Sequence, residues 1–160
     1  MRTKGKFMVY PLIALLIFGM DQGIKLVVRR LPEHVVFYRL PGLFELIRCT
    51  NTGAAFSLFE GHTGLIAVFS MALLGFLFFG LLKSLHLTAG VKMLLAILIG
   101  AGAGNLFDRI VLGGVTDYIR LLPVSFPVFN FADICITGSV LMLSYFIISG
   151  RLDKHPEEDI

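Results

Sequence analysis

Four long apolar stretches dominate the pattern of hydrophobic and polar positions along this chain. They cover residues 7–28, 63–82, 91–112 and 131–150, and their charged residues lie near their ends. A helix of about 20 mostly apolar residues spans the hydrocarbon core of a bilayer. The pattern therefore predicts four transmembrane helices, which we interpret as one membrane domain that comprises residues 1–160.

The connection between the first two stretches has a different pattern. Residues 35–38 and 44–48 are rich in β-branched and aromatic side chains and partly alternate, and Pro41-Gly42 stands between them. Two short strands joined by a turn have this composition. We expect a small antiparallel sheet on the membrane surface within residues 29–62.

The fold class that follows is an all-α membrane protein with a small extracytoplasmic sheet between helices 1 and 2. Residues 113–130, which hold Gly113-Gly114 and two prolines, predict a loop or half-helix between helices 3 and 4. These two long connections share one side of the membrane, and the short connection at 83–90 shares the other side with both termini.

The charges do not decide the orientation, because the basic residues divide evenly between the two sides. The basic N-terminal tail and the loop at 83–92 favour cytoplasmic termini, which we expect, whereas Arg29 and Arg30 favour the opposite. The tail with the first apolar run also resembles a secretory signal peptide. That run ends without a small-x-small cleavage pattern and three more spans follow, so we interpret it as a retained signal anchor.

The composition supports a membrane protein. The chain is 56% hydrophobic and 16% charged with a mean hydropathy of +0.85, whereas roughly a quarter of the residues of a soluble domain are charged. Basic residues at helix ends can meet anionic lipid head groups, so the net charge of +3 does not require nucleic acid. Cys49 and Cys135 lack metal-ligand spacing and the histidines are scattered, so we expect neither a metal nor a cofactor.

Four aspartates lie in or beside the apolar stretches, whereas the glutamates fall in polar segments. The aspartates all lie on the side of the long connections: Asp21, Asp108, Asp117 and Asp133. A carboxylate at membrane depth costs at least about 2.5–3.5 kcal/mol. Four of them at one face predict a functional site.

Several polar residues near these aspartates allow structural as well as functional interpretations. Asp21 and Lys25 are four apart on helix 1, and a structural ion pair is the favoured interpretation. Gly100 and Gly104 form a small-xxx-small face for close helix packing. On the same helix, Asn105 can share a face with Asp108 or with Arg109. Arg109 can either snorkel to the membrane surface or hold a substrate carbonyl or phosphate.

The start of the fourth helix is the most ambiguous place. Asn130 followed three residues later by Asp133 is ordinary helix-capping chemistry, and the helix dipole favours an ionised Asp133. Asp117 gains nothing from such capping. Two aspartates close together at low dielectric share a proton and can serve as general base and general acid for an attacking water. A membrane aspartic protease needs little more than such a pair.

Five ordered blocks give the chain a resemblance to the lipoprotein signal peptidases, or signal peptidase II, which are bacterial inner-membrane aspartic endopeptidases. The blocks extend from Asp21 to Asp133: Asp21-Gln22-x-x-Lys25, Asn51-Thr-Gly-Ala-Ala-Phe-Ser57, Gly104-Asn105-x-x-Asp108-Arg109, Val115-Thr-Asp117-Tyr-Ile119 and Phe129-Asn130-Phe-Ala-Asp133. Two positions depart from the family pattern. Cys135 stands where a small hydroxyl residue is expected, and Phe126 stands at an aromatic position that is often Trp.

The resemblance implies a substrate, a cut and a set of site residues. The substrate is a prolipoprotein whose lipobox cysteine carries a diacylglyceryl thioether, and the enzyme cuts immediately before that cysteine without a cofactor. Asp117 and Asp133 would be the catalytic dyad. Binding and support would come from Asn51, Gly53, Asn105, Asp108, Arg109, Asn130, Asp21 and Lys25. The expected location is the bacterial cytoplasmic membrane, with the site at its outer face, lipids as neighbours, and a monomer as the unit.

Other classes of membrane protein fit the residues less well. A proton-coupled transporter needs polar residues through the depth of several helices, yet the second stretch has only Thr63 and Ser70. A metal-dependent lipid phosphotransferase needs several acids at helical spacing, and Asp108 stands alone on helix 3. A serine intramembrane protease needs a Ser–His pair inside the spans, and no span contains a histidine.

Overall fold

The computed structural model describes residues 3–53, 59, 61–83 and 86–152, with side chains from residue 8 onward. Part of the sequence pattern lies outside these described residues. This part includes residues 54–57 of the second family block, the side chains of the basic N-terminal tail, and Glu60, Lys154, His155, Glu157 and Glu158.

Four helices occupy the four apolar stretches, so this prediction is confirmed. They are α1 (Thr3–Val28), α2 (Thr63–Lys83), α3 (Ala89–Leu112) and α4 (Phe131–Ile148). Each contains a segment long and apolar enough to cross a membrane. Many of their large apolar side chains are exposed, such as Leu12, Phe76 and Leu141. In water this exposure would be unfavourable, whereas it suits a lipid surrounding.

Helix α3 lies at the centre of the bundle and contacts α1, α2 and α4. Its glycines permit this close packing, as the small-xxx-small pattern predicted. A Cβ at Gly100 would lie 2.3 Å from the backbone oxygen of Ala14, and one at Gly104 would lie 2.3 Å from Oδ2 of Asp21. Because these neighbours come from α1, the glycine face of α3 brings the two helices into contact near the aspartates.

A three-stranded antiparallel sheet lies at the end of the bundle where α1 and α3 end and α4 begins. Its strands are β1 (Val36–Leu40), β2 (Phe44–Asn51) and β3 (Val115–Leu121), in the order β1-β2-β3. The predicted β1–β2 hairpin is confirmed, with Leu40 opposite Phe44.

The prediction of a loop or half-helix between helices 3 and 4 is wrong, because this connection contains the third strand. Residues 115–121 instead pair with β2, with Cys49 opposite Asp117 and Asn51 opposite Val115. Gly113, at a φ of 74°, ends α3 in the left-handed region and turns the chain into this strand. Pairing with a strand more than 60 residues away is a tertiary effect that the glycines and prolines of the connection did not indicate.

One glutamate is also more buried than its polar segment suggested. Glu45 is 1% exposed in the middle of the sheet, opposite Arg39 on β1 and Arg120 on β3. Arg39 Nη2 lies 2.6 Å from Oε2, and Arg120 donates from Nε to Oε1 at 2.5 Å. The hydrogen bond from Arg120, with that from Arg39, lowers the pKa of Glu45. A carboxylate between two arginines therefore joins all three strands.

Candidate active site

The start of α4 fixes the position of Asp133. The Asn130 side chain accepts a hydrogen bond from the backbone N–H of Asp133 at 3.0 Å, and Asp133 Oδ2 accepts one from the backbone N–H of Asn130 at 3.1 Å. Tyr118 adds a further cap, since its hydroxyl oxygen accepts from the N–H of Phe131 at 3.1 Å. The capping interpretation of Asn130 and Asp133 is thus confirmed. It leaves Oδ1 of Asp133 for other contacts.

The chain before α4 brings Asp133 close to β3. Phe129 exchanges backbone hydrogen bonds with Ile119, at 2.8 and 3.0 Å, so the connection folds back along the free edge of β3. Asn130 consequently lies beside Asp117 and donates from Nδ2 to Oδ1 of that aspartate at 2.6 Å. One asparagine therefore contacts both predicted catalytic carboxylates, through its side chain and through its backbone.

Each aspartate is held by amide donors on both oxygens. Asp117 Oδ2 accepts from Nδ2 of Asn51 at 3.0 Å, and Asp133 Oδ1 accepts from Nδ2 of Asn105 at 2.8 Å. Burial and the neighbouring charge of Asp133 raise the pKa of Asp117 to about 7, against the opposing hydrogen bonds from Asn51 and Asn130. Asp117 can therefore exchange a proton near neutral pH, as a general acid or base must.

The two carboxylates border one cavity of about 550 Å³. Its polar wall is formed by Asn51, Asn105, Arg109, Asp117 and Asp133, while the remaining wall is mainly apolar and follows α4 from Ile134 to Leu141. Phe126 also lies on this wall and packs edge-on against Phe129, with ring centroids 5.8 Å apart. A cavity with reactive carboxylates at one side and an apolar wall beside them suits a substrate that is partly lipid or apolar peptide.

Arg109 reaches the same cavity from α3. It donates from Nη1 to the backbone oxygen of Asn105 and from Nη2 to that of Gly53, both at 3.4 Å. Among the described residues it forms no ion pair within 4 Å, and its buried Nε has no hydrogen-bond partner. Two long contacts leave most of the five guanidinium donors for another acceptor in the cavity.

The remaining predicted residues lie behind the cavity wall. Asn130 is fully buried between Asp117 and Asn105, and Asp21, Lys25 and Asp108 are also fully buried. The predicted ion pair is confirmed, with Lys25 Nζ 2.8 Å from Asp21 Oδ2, and Lys25 also lies 3.2 Å from Asp108 Oδ2.

Three further residues of this cluster were not predicted from the sequence, namely Gln22, Arg29 and Thr116. Arg29 Nη2 lies 2.5 Å from Asp108 Oδ1, and Arg29 Nε donates to the Thr116 hydroxyl at 2.9 Å. Gln22 donates to the same oxygen of Asp108 at 3.1 Å. The sequence spacing could have indicated Arg29, because it follows Asp21 and Lys25 at intervals of four and so lies on the same helical face.

No group of three or more His, Cys, Asp and Glu side chains within the described ranges is arranged to hold a metal ion. The aspartates are instead engaged by amides, lysine and arginine. A bundle of four potential membrane helices, with two aspartates on one cavity wall that each accept hydrogen bonds from amides, is the arrangement expected of a membrane-embedded aspartic hydrolase.

The comparisons with known proteins give the family. The family model described as signal peptidase (SPase) II matches residues 13–149. The chain belongs to the signal peptidase II family and is a membrane aspartic protease.

The relatives and solved structures cover nearly the whole chain. A lipoprotein signal peptidase of Caldicellulosiruptor bescii is 37% identical over 142 residues, which cover 88% of this chain and 91% of the relative. One from Streptococcus thermophilus is 33% identical over 134 residues, covering 83% and 88%. A bacterial membrane enzyme solved by the in meso method at 2.3 Å resolution superposes with a TM-score of 0.83 at 22% identity and covers 95% of this chain and 94% of that one. At that identity the superposition shows the same fold.

Proposed function

We propose that this signal peptidase cleaves prolipoproteins immediately before the diacylglyceryl-modified lipobox cysteine, with a water molecule activated by Asp117 and Asp133. Removal of signal peptides from prolipoproteins is the activity of the family. The observation that carries the finer assignment is the placement of both carboxylates on the wall of one cavity, each held by amide donors and linked through Asn130.

The mechanism uses one shared proton. One carboxylate of the pair is ionised and takes a proton from water, and the water oxygen attacks the carbonyl carbon of the scissile peptide. The other is protonated and donates to the carbonyl oxygen. The proton taken from water then goes to the leaving amine as the C–N bond breaks. The proton on the former carbonyl oxygen returns to the carboxylate that donated it, which releases the signal peptide as a carboxylic acid and restores the dyad. The macroscopic titration belongs to the pair rather than to either residue.

The developing oxyanion needs donors at the cavity wall. Among the predicted site residues, Asn130 and Arg109 are the two candidates. The amide of Asn130 is buried and already donates to Asp117, whereas Arg109 lies on the wall with donors to spare. We therefore assign Arg109 to the substrate carbonyl or a lipid oxygen. Asn130 holds the dyad, and Asn51 and Gly53 support it from the end of β2.

The substrate class can be tested directly by cleavage with purified protein. We expect cleavage of a prolipoprotein that carries the diacylglyceryl group and much slower cleavage of the unmodified chain, because the apolar wall along α4 would then lack its ligand. Mass spectrometry of the products should place the cut before the modified cysteine, and Asp117→Asn serves as the inactive control. Equal cleavage of both substrates would contradict the lipid requirement.

The orientation in the membrane is part of the proposal. The sheet and all four aspartates lie at one end of the bundle. Exported lipoproteins would reach this site at the outer face of the membrane. We therefore propose a monomer in the bacterial cytoplasmic membrane, with cytoplasmic termini and with the sheet and site at the outer face. Reporter fusions after residue 86 should give cytoplasmic signals, and fusions near residues 45 and 120 external ones. An external signal at residue 86 would reverse this orientation.

The pH dependence of the reaction follows from the proton that Asp117 shares with Asp133. Its pKa is raised to about 7, so the shared proton is present below that pH and lost as the pH rises through it. We expect kcat/KM to fall on the alkaline side with an apparent pKa near 7, since this ratio reports the free enzyme. Initial rates across pH, with folding checked at each value, test this expectation. Turnover that keeps rising well above neutral pH would contradict it.

Arg109→Lys tests whether the guanidinium contacts the substrate. The variant keeps the charge but loses the planar donor fork, so we expect turnover to fall roughly ten- to a hundredfold, equivalent to about 1.5–3 kcal/mol. Arg48→Lys is the matched control, because Arg48 Nη1 bonds only backbone oxygens, at 2.9 Å, and does not line the cavity. The turnover of both variants is measured by kinetics on a lipidated substrate. Undiminished turnover in Arg109→Lys would make this arginine an interfacial anchor.

A further inference from the structure

Lys25 is a fully buried cation within the bundle, and each of its three polar contacts is with an oxygen atom. Its ammonium group lies 2.8 Å from Asp21 Oδ2, 3.2 Å from Asp108 Oδ2 and 2.8 Å from Asn105 Oδ1. An ammonium group has three N–H donors and no acceptor. Three acceptors therefore use all of its donors, and two of them are carboxylates whose charges Lys25 and Arg29 balance together.

The third contact determines which way the Asn105 amide points. Because Lys25 can only donate, the atom of Asn105 that faces it must be the oxygen. The amide nitrogen then faces the opposite side, where Nδ2 donates to Asp133 Oδ1 at 2.8 Å. Asn130 Nδ2 also approaches the Asn105 oxygen, at 3.2 Å, which reinforces the same orientation. Lys25, at the shorter of the two distances, thus keeps a donor rather than an acceptor towards Asp133.

We propose that Lys25 is a positioning residue for the reaction, which acts through Asn105 to hold an N–H donor on Asp133. Without Lys25, the Asn105 amide could rotate and present its oxygen to the carboxylate. Lys25 touches neither substrate nor reacting atoms, since it does not line the cavity. This inference rests on the proposed dyad and goes beyond a supporting ion pair, because it links a charge on α1 to the ionisation of the dyad.

The positive charge of Lys25 and the N–H donor of Asn105 both stabilise an ionised carboxylate. The charge of Lys25 lowers the pKa of Asp117 and so opposes burial and the charge of Asp133, which raise it. Other ionisable groups also face the pair from the surrounding elements, and they stay in place when Lys25 is changed: Cys49 on β2, Arg109 on α3 and Tyr118 on β3. Removing Lys25 should therefore shift the proton equilibrium of the pair to higher pH.

The experiment uses a charge-balanced test variant, because Lys25→Met alone would leave two buried aspartates with Arg29 as their counter-ion. Asp21→Asn is the reference, and Asp21→Asn/Lys25→Met is the test variant, in which Asp108 still pairs with Arg29. We expect the second change to lower kcat about ten- to a hundredfold with little change in KM. The alkaline limb of the pH–rate profile should move up by about half to one pH unit. The substrate is a synthetic prolipoprotein peptide with a diacylglyceryl cysteine.

Two further variants separate positioning from loss of structure. Lys25→Gln in the same background keeps one donor for the Asn105 oxygen, so it should recover part of kcat, and it replaces the methionine variant if that protein does not fold. Glu45→Gln removes a buried carboxylate from the sheet and should leave the pH profile unmoved. Adding Asn105→Ala should make Lys25→Met nearly silent, because both act on the same contact with Asp133.

The outcomes distinguish this inference from the dyad itself. Identical kcat and pH profiles in Asp21→Asn with and without Lys25→Met would overturn the positioning role. So would losses from Lys25→Met and Asn105→Ala that simply add. If Asp117→Asn or Asp133→Asn retained turnover, the dyad would fail instead, whatever the lysine variants showed.

Discussion

Asp117→Asn and Asp133→Asn should each abolish cleavage of a lipidated prolipoprotein, with turnover reduced about 10⁴-fold or more. Each change removes one partner of a single proton exchange, so neither remaining carboxylate can act as both base and acid. The double variant should be no worse than either single one, because residues that act as a unit do not lose rate independently. Single-turnover cleavage with the purified variants measures the effect.

Asp133 needs its own control, since it also caps α4. Asp133→Asn weakens the bond that its Oδ2 accepts from the Asn130 N–H, and a loss of folding could be mistaken for a loss of chemistry. Asp133→Glu can keep the cap, because glutamate serves well at this capping-box position. It moves the carboxylate away from Asn105, so we expect a folded, inactive protein. Appreciable turnover in Asp117→Asn or Asp133→Asn would remove that residue from the catalytic role.

Asp108→Ala should have the largest effect on stability among the polar residues of the site. Asp108 is fully buried, and its two oxygens hold Lys25, Arg29, Gln22 and the backbone N–H of Thr116, the last at 3.1 Å. Removing one partner of a buried pair typically costs about 3–5 kcal/mol, because the other charges stay buried without compensation. The same change releases β3 one residue before Asp117, so activity should also fall.

Denaturation in detergent, followed by helical signal and by turnover, measures both effects. Asp108→Asn is the graded comparison, since its single amide oxygen can still accept a hydrogen bond from Thr116 or from Gln22 and it should lose less stability. Glu45→Gln is the matched control in the sheet, where the arginine partners are 58% and 41% exposed and can turn to water. Its stability loss should be smaller than that of Asp108→Ala. Wild-type stability in Asp108→Ala would show that the buried cluster does not anchor β3.

Local signals in the sequence were enough for the helices and for one hairpin. Uninterrupted apolar runs of membrane length predicted all four helices within a few residues, because length and hydropathy alone decide a span. Pro41-Gly42 between two β-rich segments predicted β1 and β2, and the Asn130 to Asp133 spacing predicted the cap of α4. The clustering of aspartates at one end of the spans also followed from the sequence. The family resemblance, rather than any spacing, singled out Asp117 and Asp133 among them.

The tertiary structure decided how those pieces meet. The β-branched and aromatic residues of 115–121 are compatible with a strand, but nothing inside residues 113–130 shows that this strand pairs with β2. That pairing, with Phe129 on its other edge, places Asp117 beside Asn130. The roles of Gln22, Arg29 and Thr116 and the orientation of the Asn105 amide likewise come from packing. A hydrogen bond depends on distances of tenths of an ångström between segments that hydrophobic periodicity does not relate. The sequence therefore determined the four helices, one hairpin and the face that carries the aspartates, while the fold determined the third strand and the site.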